Sequence, residues 1–207
     1  MIGIFGGTFD PVHYGHLRSA LEVKEIFGLD EVRFIPSATP PHRLPPVASA
    51  ALRLHMLELA IAGQEGFVVD QREINRQGTS YMVDTLSSLR EDTPHQPLLL
   101  FIGSDAFNKL TNWYQWQRLF DYAHIVVLTR PGYAINELDD FFSACVTRNQ
   151  HELTRLLSGK LYFQPITQLD ISATAIRQII AERRNPRFLL PDYVITYINQ
   201  HELYQHA

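Results

Sequence analysis

Apolar residues along this chain switch repeatedly between two spacings, and that switching gives the first outline of a fold. Short, mainly apolar runs at residues 2–5, 32–35, 67–69, 98–102, 124–128 and 161–163 are β-branched, leucine-rich or aromatic, so they read as strands. Between them, residues 16–27, 49–62, 81–90 and 137–149 carry apolar positions three and four apart, the period of a helix with one buried face. Two further helices close the chain. One covers 173–183 with Ile176, Ile179 and Ile180 as its buried stripe, and the other starts after Pro191. The alternation predicts an α/β fold, a parallel sheet with helices on both faces, in which ligands bind beyond the carboxyl ends of the strands. The proline-rich stretch 36–46 suits neither a strand interior nor a helix, and is expected as an exposed loop after the second strand.

Composition narrows the classes. At 207 residues the chain suits a single domain over 1–207, with the helical segment 172–204 covering the sheet. Hydrophobic residues at 45% and charged residues at 19% are those of a folded, soluble protein. A net charge of −4 provides no broad basic field for nucleic acid, so a phosphate ligand has to be met by local groups. The one cysteine, Cys145, has no internal disulfide partner. No apolar run is long enough to span a bilayer, and the first residues lack the pattern of a signal peptide. A cytoplasmic enzyme with no membrane partner is the expectation; oligomeric state is not legible.

Two segments carry candidate chemistry. Gly6, Gly7, Thr8 and Phe9 follow the first strand and lead through Asp10-Pro11-Val12 to His13-Tyr14-Gly15-His16, where a helix begins near Gly15. Paired glycines let backbone approach a ligand closely, and a helix start presents free N–H groups and a positive dipole end to an anion. His13 and His16, three apart, can aim both imidazoles at one phosphate, although histidine pairs also occur as plain surface residues. The stretch lacks both the Gly-Lys-Ser/Thr ending of a P-loop and the GxGxxG of dinucleotide binders. No third Cys or His stands nearby to complete a metal site. Near the other end, Ile171-Ser172-Ala173-Thr174-Ala175-Ile176-Arg177 opens a helix with Ser172 as its N-cap. It reads as a second anion site or as an ordinary capped helix with a solvated arginine.

The glycine-to-histidine segment resembles the signature of the HxGH nucleotidyltransferase superfamily, and 171–177 resembles its ISxTxxR motif. That resemblance implies a Rossmann-like fold, ATP with Mg²⁺, and direct attack of a substrate phosphate on the α-phosphorus without a covalent enzyme intermediate. Phosphoryl-transfer catalysis is chiefly positioning and charge stabilisation, which suits imidazoles and helix N–H groups. The resemblance assigns catalysis to His13, His16 and Arg177. It assigns ATP binding to Gly6, Gly7, Thr8, Phe9, Gly103, Asp105, Arg130, Ile171, Ser172 and Thr174.

The remaining loops choose the acceptor. Pro40-Pro41-His42-Arg43, Ser80-Tyr81, Gly103-Ser104-Asp105, Asn112-Trp113-Tyr114, Arg130-Pro131-Gly132 and Leu189-Leu190-Pro191 resemble the bacterial nicotinate-nucleotide adenylyltransferases across nearly the whole chain. The chain departs from them at Met82, where threonine is common, at Ala173, where serine is common, and near Ser37 and Ala38, where asparagine is common. The implied substrates are ATP and nicotinate mononucleotide, with His42, Arg43, Ser80, Tyr81, Met82, Trp113 and Tyr114 contacting the latter. Taken alone, His42 and Arg43 are donors for a phosphate monoester or a solvated pair. Trp113 and Tyr114 are a stacking wall for a pyridine ring or core, and Asp105 is a ribose acceptor or a helix cap. Neither 80–85 nor 112–117 contains Lys or Arg, so backbone N–H groups would meet a pyridine carboxylate. The expected sources are a short helix entered at Trp113, capped by Thr111 or Asn112, and the Met82 N–H. The competing readings are a sister enzyme for pantetheine phosphate and a nucleotide-sensing module.

Overall fold

The computed structural model describes residues 1–38, 45–76, 78–129, 135–167 and 169–205. Its six strands, β1 (Ile2–Gly7), β2 (Glu31–Pro36), β3 (Phe67–Val69), β4 (Leu98–Gly103), β5 (His124–Thr129) and β6 (Leu161–Pro165), pair in parallel in the order β3-β2-β1-β4-β5-β6. All six correspond to the apolar runs of the sequence, each lengthened by up to two residues. The long helices are α1 (Tyr14–Phe27), α2 (Ala50–Ile61), α4 (Met82–Asp92), α9 (Ala173–Ala181) and α10 (Asp192–Gln200). Short ones fill the connections: α3 (Arg72–Asn75), α5 (Ser104–Phe107), α6 (Leu119–Tyr122), α7 (Asp140–Cys145) and α8 (His151–Arg155).

Alternation along the strands sorts the core into two layers. Ile2, Ile4, Ile35, Leu98, Leu100, Ile125 and Val127 point to one face, where Val83, Leu86 and Leu89 of α4, Phe120 of α6 and Phe142 of α7 cover them. Phe5, Phe34, Leu99, Phe101, Val126 and Leu128 point to the other, under α1, α2, Ile176 of α9 and Val194 and Ile198 of α10. Each such side chain taken from water stabilises the fold by roughly 1.5–3 kcal/mol, which is why hydrophobic spacing outweighs local propensity here.

Three boundaries differ from the sequence pattern. The helix read over 137–149 is confined to Asp140–Cys145, because the Asp139 carboxylate caps Phe142 N–H at 2.9 Å and Val146 bridges to Leu161, turning the chain onto the sheet edge. The helix read as ending at Arg183 stops at Ala181, and Arg183 takes a left-handed φ of 56°. Of its stripe, Ile176 is buried, while Ile179 and Ile180 are half-buried. Most relevant to function, residues 110–112 form a 3₁₀ turn that ends at Trp113, whose N–H donates to Leu110 O at 2.9 Å. No helix is entered at Trp113, so neither Thr111 nor Asn112 is an N-cap there. Strand order reverses between β1 and β4, and the crevice at their carboxyl ends holds the loops described next.

Candidate active site

β1 delivers the glycine segment to the mouth of that crevice. Gly6 is exposed and its neighbour across the cleft is α4: a Cβ on Gly6 would lie 2.6 Å from Met82 Cε. A Cβ on Gly7 would press on the Phe9 ring at 3.0 Å. Thr8 is half-buried, and Phe9, at φ 50°, turns its ring into the core, edge-on to His16 at 5.1 Å. Phe9 therefore acts as a wall behind the histidines; its side chain does not face the crevice.

His13 and His16 meet at the start of α1, which begins at Tyr14, two residues earlier than the periodicity indicates. Their rings stack with centroids 3.7 Å apart and planes 25° apart. The His13 backbone N–H donates to His16 Nδ1 at 3.3 Å, which assigns the His16 proton to Nε2. Burial, and secondarily His13 beside it, holds the His16 imidazole well below its ordinary pKa. His16 is thus a neutral donor. The glycine between them has a packing reason: a Cβ on Gly15 would stand 2.9 Å from His13 Nδ1 and 3.5 Å from Ile171 O.

That last contact brings the second motif to the first. Ser172 caps α9, its Oγ accepting from Ala175 N–H at 3.1 Å, and Thr174 is exposed one turn before Arg177. Arg177 is no solvated surface charge. Its Nη1 donates to Asp10 O at 2.6 Å, its Nη2 to Thr174 Oγ1 at 3.3 Å, and Asp10 Oδ2 is 3.9 Å away. Across the crevice a Cβ on Gly103 would meet nothing within 4 Å, so the space before β4 is open. Asp105 is exposed within the first turn of α5, whose N-cap is Gly103, so the capping alternative for Asp105 fails.

The acceptor residues are partly assembled. Tyr81 packs on Tyr114 with centroids 4.6 Å apart, Tyr114 is half exposed, and Trp113 rests partly buried against the α4 layer. Met82 is the first residue of α4, which has no side-chain cap. Ser80 is 8% exposed and its Oγ accepts from Ala38 N–H at 3.1 Å, so it braces the loop after β2. His42, Arg43 and Arg130 lie outside the described residues.

Sequence reasoning missed the groups that hold these loops. Asp10, 5% exposed, accepts at Oδ1 from Tyr204 hydroxyl at 2.7 Å and Ala48 N–H at 3.2 Å, and at Oδ2 from Val47 N–H at 2.8 Å. Burial and Asp10 push the Tyr204 phenol far above its ordinary pKa, so it remains the donor. Arg53, 1% exposed, donates to Ala48 O at 3.1 Å, Thr8 O at 2.6 Å and Ser37 O at 2.7 Å, tying the loops after β1 and β2 together. Arg53 stands three and four residues before the buried Met56 and Leu57, and a charge on an apolar stripe is a readable signal. Tyr204 stands in a polar tail and gave none.

A six-stranded parallel sheet with paired histidines at its switch point and an arginine tied to the same loop defines an α/β nucleotidyltransferase. The cytidylyltransferase-like family model matches residues 4–179. A Methylococcus capsulatus protein named "probable nicotinate-nucleotide adenylyltransferase" is 51% identical over 99% of both chains. Proteins of that name from Aeromonas hydrophila and Pseudomonas entomophila are 43% and 45% identical, over 100% and 99% of this chain and 98% and 94% of their own. The chain belongs to the cytidylyltransferase-like family and, within it, to the nicotinate-nucleotide adenylyltransferases. The solved nicotinic acid mononucleotide adenylyltransferase of Plasmodium falciparum, complexed with NaAD, shares its fold, with a TM-score of 0.75 over 100% of this chain and 98% of that one at 16% identity.

Proposed function

We propose that this chain transfers the adenylyl group of ATP to nicotinate mononucleotide, forming deamido-NAD and pyrophosphate in NAD biosynthesis. The observation that carries the reading is the convergence of the stacked His13–His16 pair and Arg177 on one loop at the mouth of β1. The acceptor's phosphate oxygen attacks the α-phosphorus as the bond to the bridging oxygen breaks, and the electron pair of that bond leaves with pyrophosphate. Negative charge on the non-bridging oxygens is met by the His16 Nε2–H and the positive end of the α1 dipole, fixed before reaction. Arg177, with Ser172 and Thr174, faces the departing pyrophosphate as a bidentate donor. Gly103 and Asp105 border the adenosine side, and the family resemblance adds Arg130, which lies outside the described residues.

Magnesium enters as part of the substrate, chelated by the triphosphate. Among the described residues no cluster of three His, Cys, Asp or Glu is placed to hold a metal, and the Asp10 carboxylate is occupied by three donors. The pyridine ring lies against Tyr81, Trp113 and Tyr114, and the family resemblance gives the monoester phosphate to His42 and Arg43, which lie outside the described residues. The Met82 N–H at the start of α4, a position with no intrahelical partner, is a donor for the ring carboxylate. No helix of the described residues is long and apolar enough to cross a membrane, and ATP-dependent cofactor synthesis suits the cytoplasm.

Pyrophosphate release from ATP and Mg²⁺, followed across nicotinate mononucleotide, its amide and pantetheine phosphate, tests this reading. Release is expected with the first. ATP binding without release for any acceptor would make the protein a sensor.

A further inference from the structure

We infer that Glu73 is a positioning residue for the acceptor mononucleotide, the group that fixes the spacing between the two walls of that subsite. The inference rests on the acceptor reading above. One wall is the loop after β2, ending in the described residues at Ser37 and Ala38; the other is the Ser80–Tyr81–Met82 turn opening α4. Glu73 sits beneath both, 3% exposed, on the one-turn helix α3.

The hydrogen bonds run in one direction. Ala38 N–H donates to Ser80 Oγ at 3.1 Å, and the Ser80 hydroxyl, with its single hydrogen, bonds the Glu73 carboxylate. Thr85 Oγ1 donates to Glu73 Oε1 at 2.7 Å, in preference to Tyr81 O at 3.3 Å, while Arg76 Nη2 donates to Thr85 Oγ1 at 3.2 Å. Both hydroxyl hydrogens therefore end on Glu73, a carboxylate with no hydrogen of its own to compete for them. The platform is rigid. Arg72 Nε donates to both Asp70 carboxylate oxygens at 2.9 Å, Nη1 to Ser88 Oγ at 2.8 Å and Nη2 to Asp92 Oδ2 at 2.9 Å, clamping α3 to the middle and end of α4. Burial pushes the Glu73 carboxyl up, and the two hydroxyls, with Arg76 nearby, oppose that push. A buried carboxylate costs stability unless it is paired, and nothing in the transfer reaction uses this one. Its partners hold the turn opening α4, and through Ser80 the loop after β2, which is the function its position supports.

Glu73→Gln keeps the volume but replaces an acceptor-only carboxylate by a neutral amide carrying an NH₂, so the hydrogen bonds from Ser80 and Thr85 weaken and the turn opening α4 loosens. Steady-state kinetics on the full chain read the consequence. With the acceptor the wild type uses best, its KM should rise about tenfold, equivalent to about 1.4 kcal/mol of binding. The KM for ATP should stay within roughly twofold and kcat within roughly threefold. Thr85→Val, isosteric and lacking the hydroxyl, should move the same KM in the same direction. It carries the measurement if Glu73→Gln fails to fold, as judged by its thermal transition. Unchanged KM values in the folded variants, or acceptor and ATP KM rising together, would overturn the proposal. The wild type alone reports on the acceptor reading, because turnover with pantetheine phosphate but not nicotinate mononucleotide fails that reading and leaves the KM split measurable.

Discussion

In the proposed reaction His16 acts as a neutral imidazole, and that can be checked at the residue itself. Its Nδ1 accepts the His13 N–H, so its only proton is on Nε2. Burial and the neighbouring His13 lower its pKa below the ordinary value of about 6.5. A lowered pKa leaves the donor form intact at neutral and alkaline pH. Activity is lost only as pH falls through the lowered value, where a second proton on Nδ1 would oppose the His13 N–H. The profile of kcat/KM for ATP should therefore be flat on the His16 account from roughly pH 7 to 8.5 and decline on the acid side. His16→Ala should lower kcat by roughly a hundredfold or more with an unchanged thermal transition, since one preorganised donor to a developing oxyanion is commonly worth about 3–4 kcal/mol. Near-normal kcat in that variant would remove His16 from catalysis. At this scale the sequence displayed His13, His16 and Arg177 through motif spacing. It did not display Asp10, Glu73 or Tyr204 as braces, because their meaning depends on partners 12 to 194 residues away.

The entrance of α1 places the histidines, and its glycine is the element-scale test. A Cβ at Gly15 would lie 2.9 Å from His13 Nδ1 and 3.0 Å from Cε1, so Gly15→Ala must tilt the His13 ring off its stack with His16. Alanine is otherwise the better helix former, by roughly 1 kcal/mol in a helix interior. The expected result is little change, or a small gain, in thermal stability together with a kcat at least about tenfold lower, a separation characteristic of a strained functional site. Loss of stability with unchanged kcat would show that the glycine serves folding alone. Elements of three turns or more were legible because their apolar period repeats. The one-turn helices α3 and α5 were not, since four residues carry no period. The same limit made the turn at 110–112 look like the start of a helix entered at Trp113, where the chain leaves a short 3₁₀ turn instead.

The whole molecule closes on itself at the active loop. Tyr204, 194 residues beyond Asp10, supplies one of three donors to a carboxylate whose backbone oxygen holds Arg177 and whose other donors hold Val47 and Ala48. Tyr204→Phe keeps the ring and removes the hydroxyl, so urea unfolding should show a loss of about 1.5–3 kcal/mol, the range for a hydrogen bond to a charged group. An unchanged midpoint would mean that the phenol is dispensable. The strand order that creates the crevice is equally a property of the whole, because periodicity finds strands without saying which lie side by side. The central claim is the reaction itself, and one competition measures it. ATP and Mg²⁺ are mixed with the protein and equal amounts of nicotinate mononucleotide and its amide, and the dinucleotides are quantified by mass spectrometry. The account predicts deamido-NAD in excess over NAD by at least about tenfold, a discrimination of about 1.4 kcal/mol set by a carboxylate that accepts from backbone where an amide NH₂ opposes it. Equal amounts of the two products, or no dinucleotide from either, would contradict it.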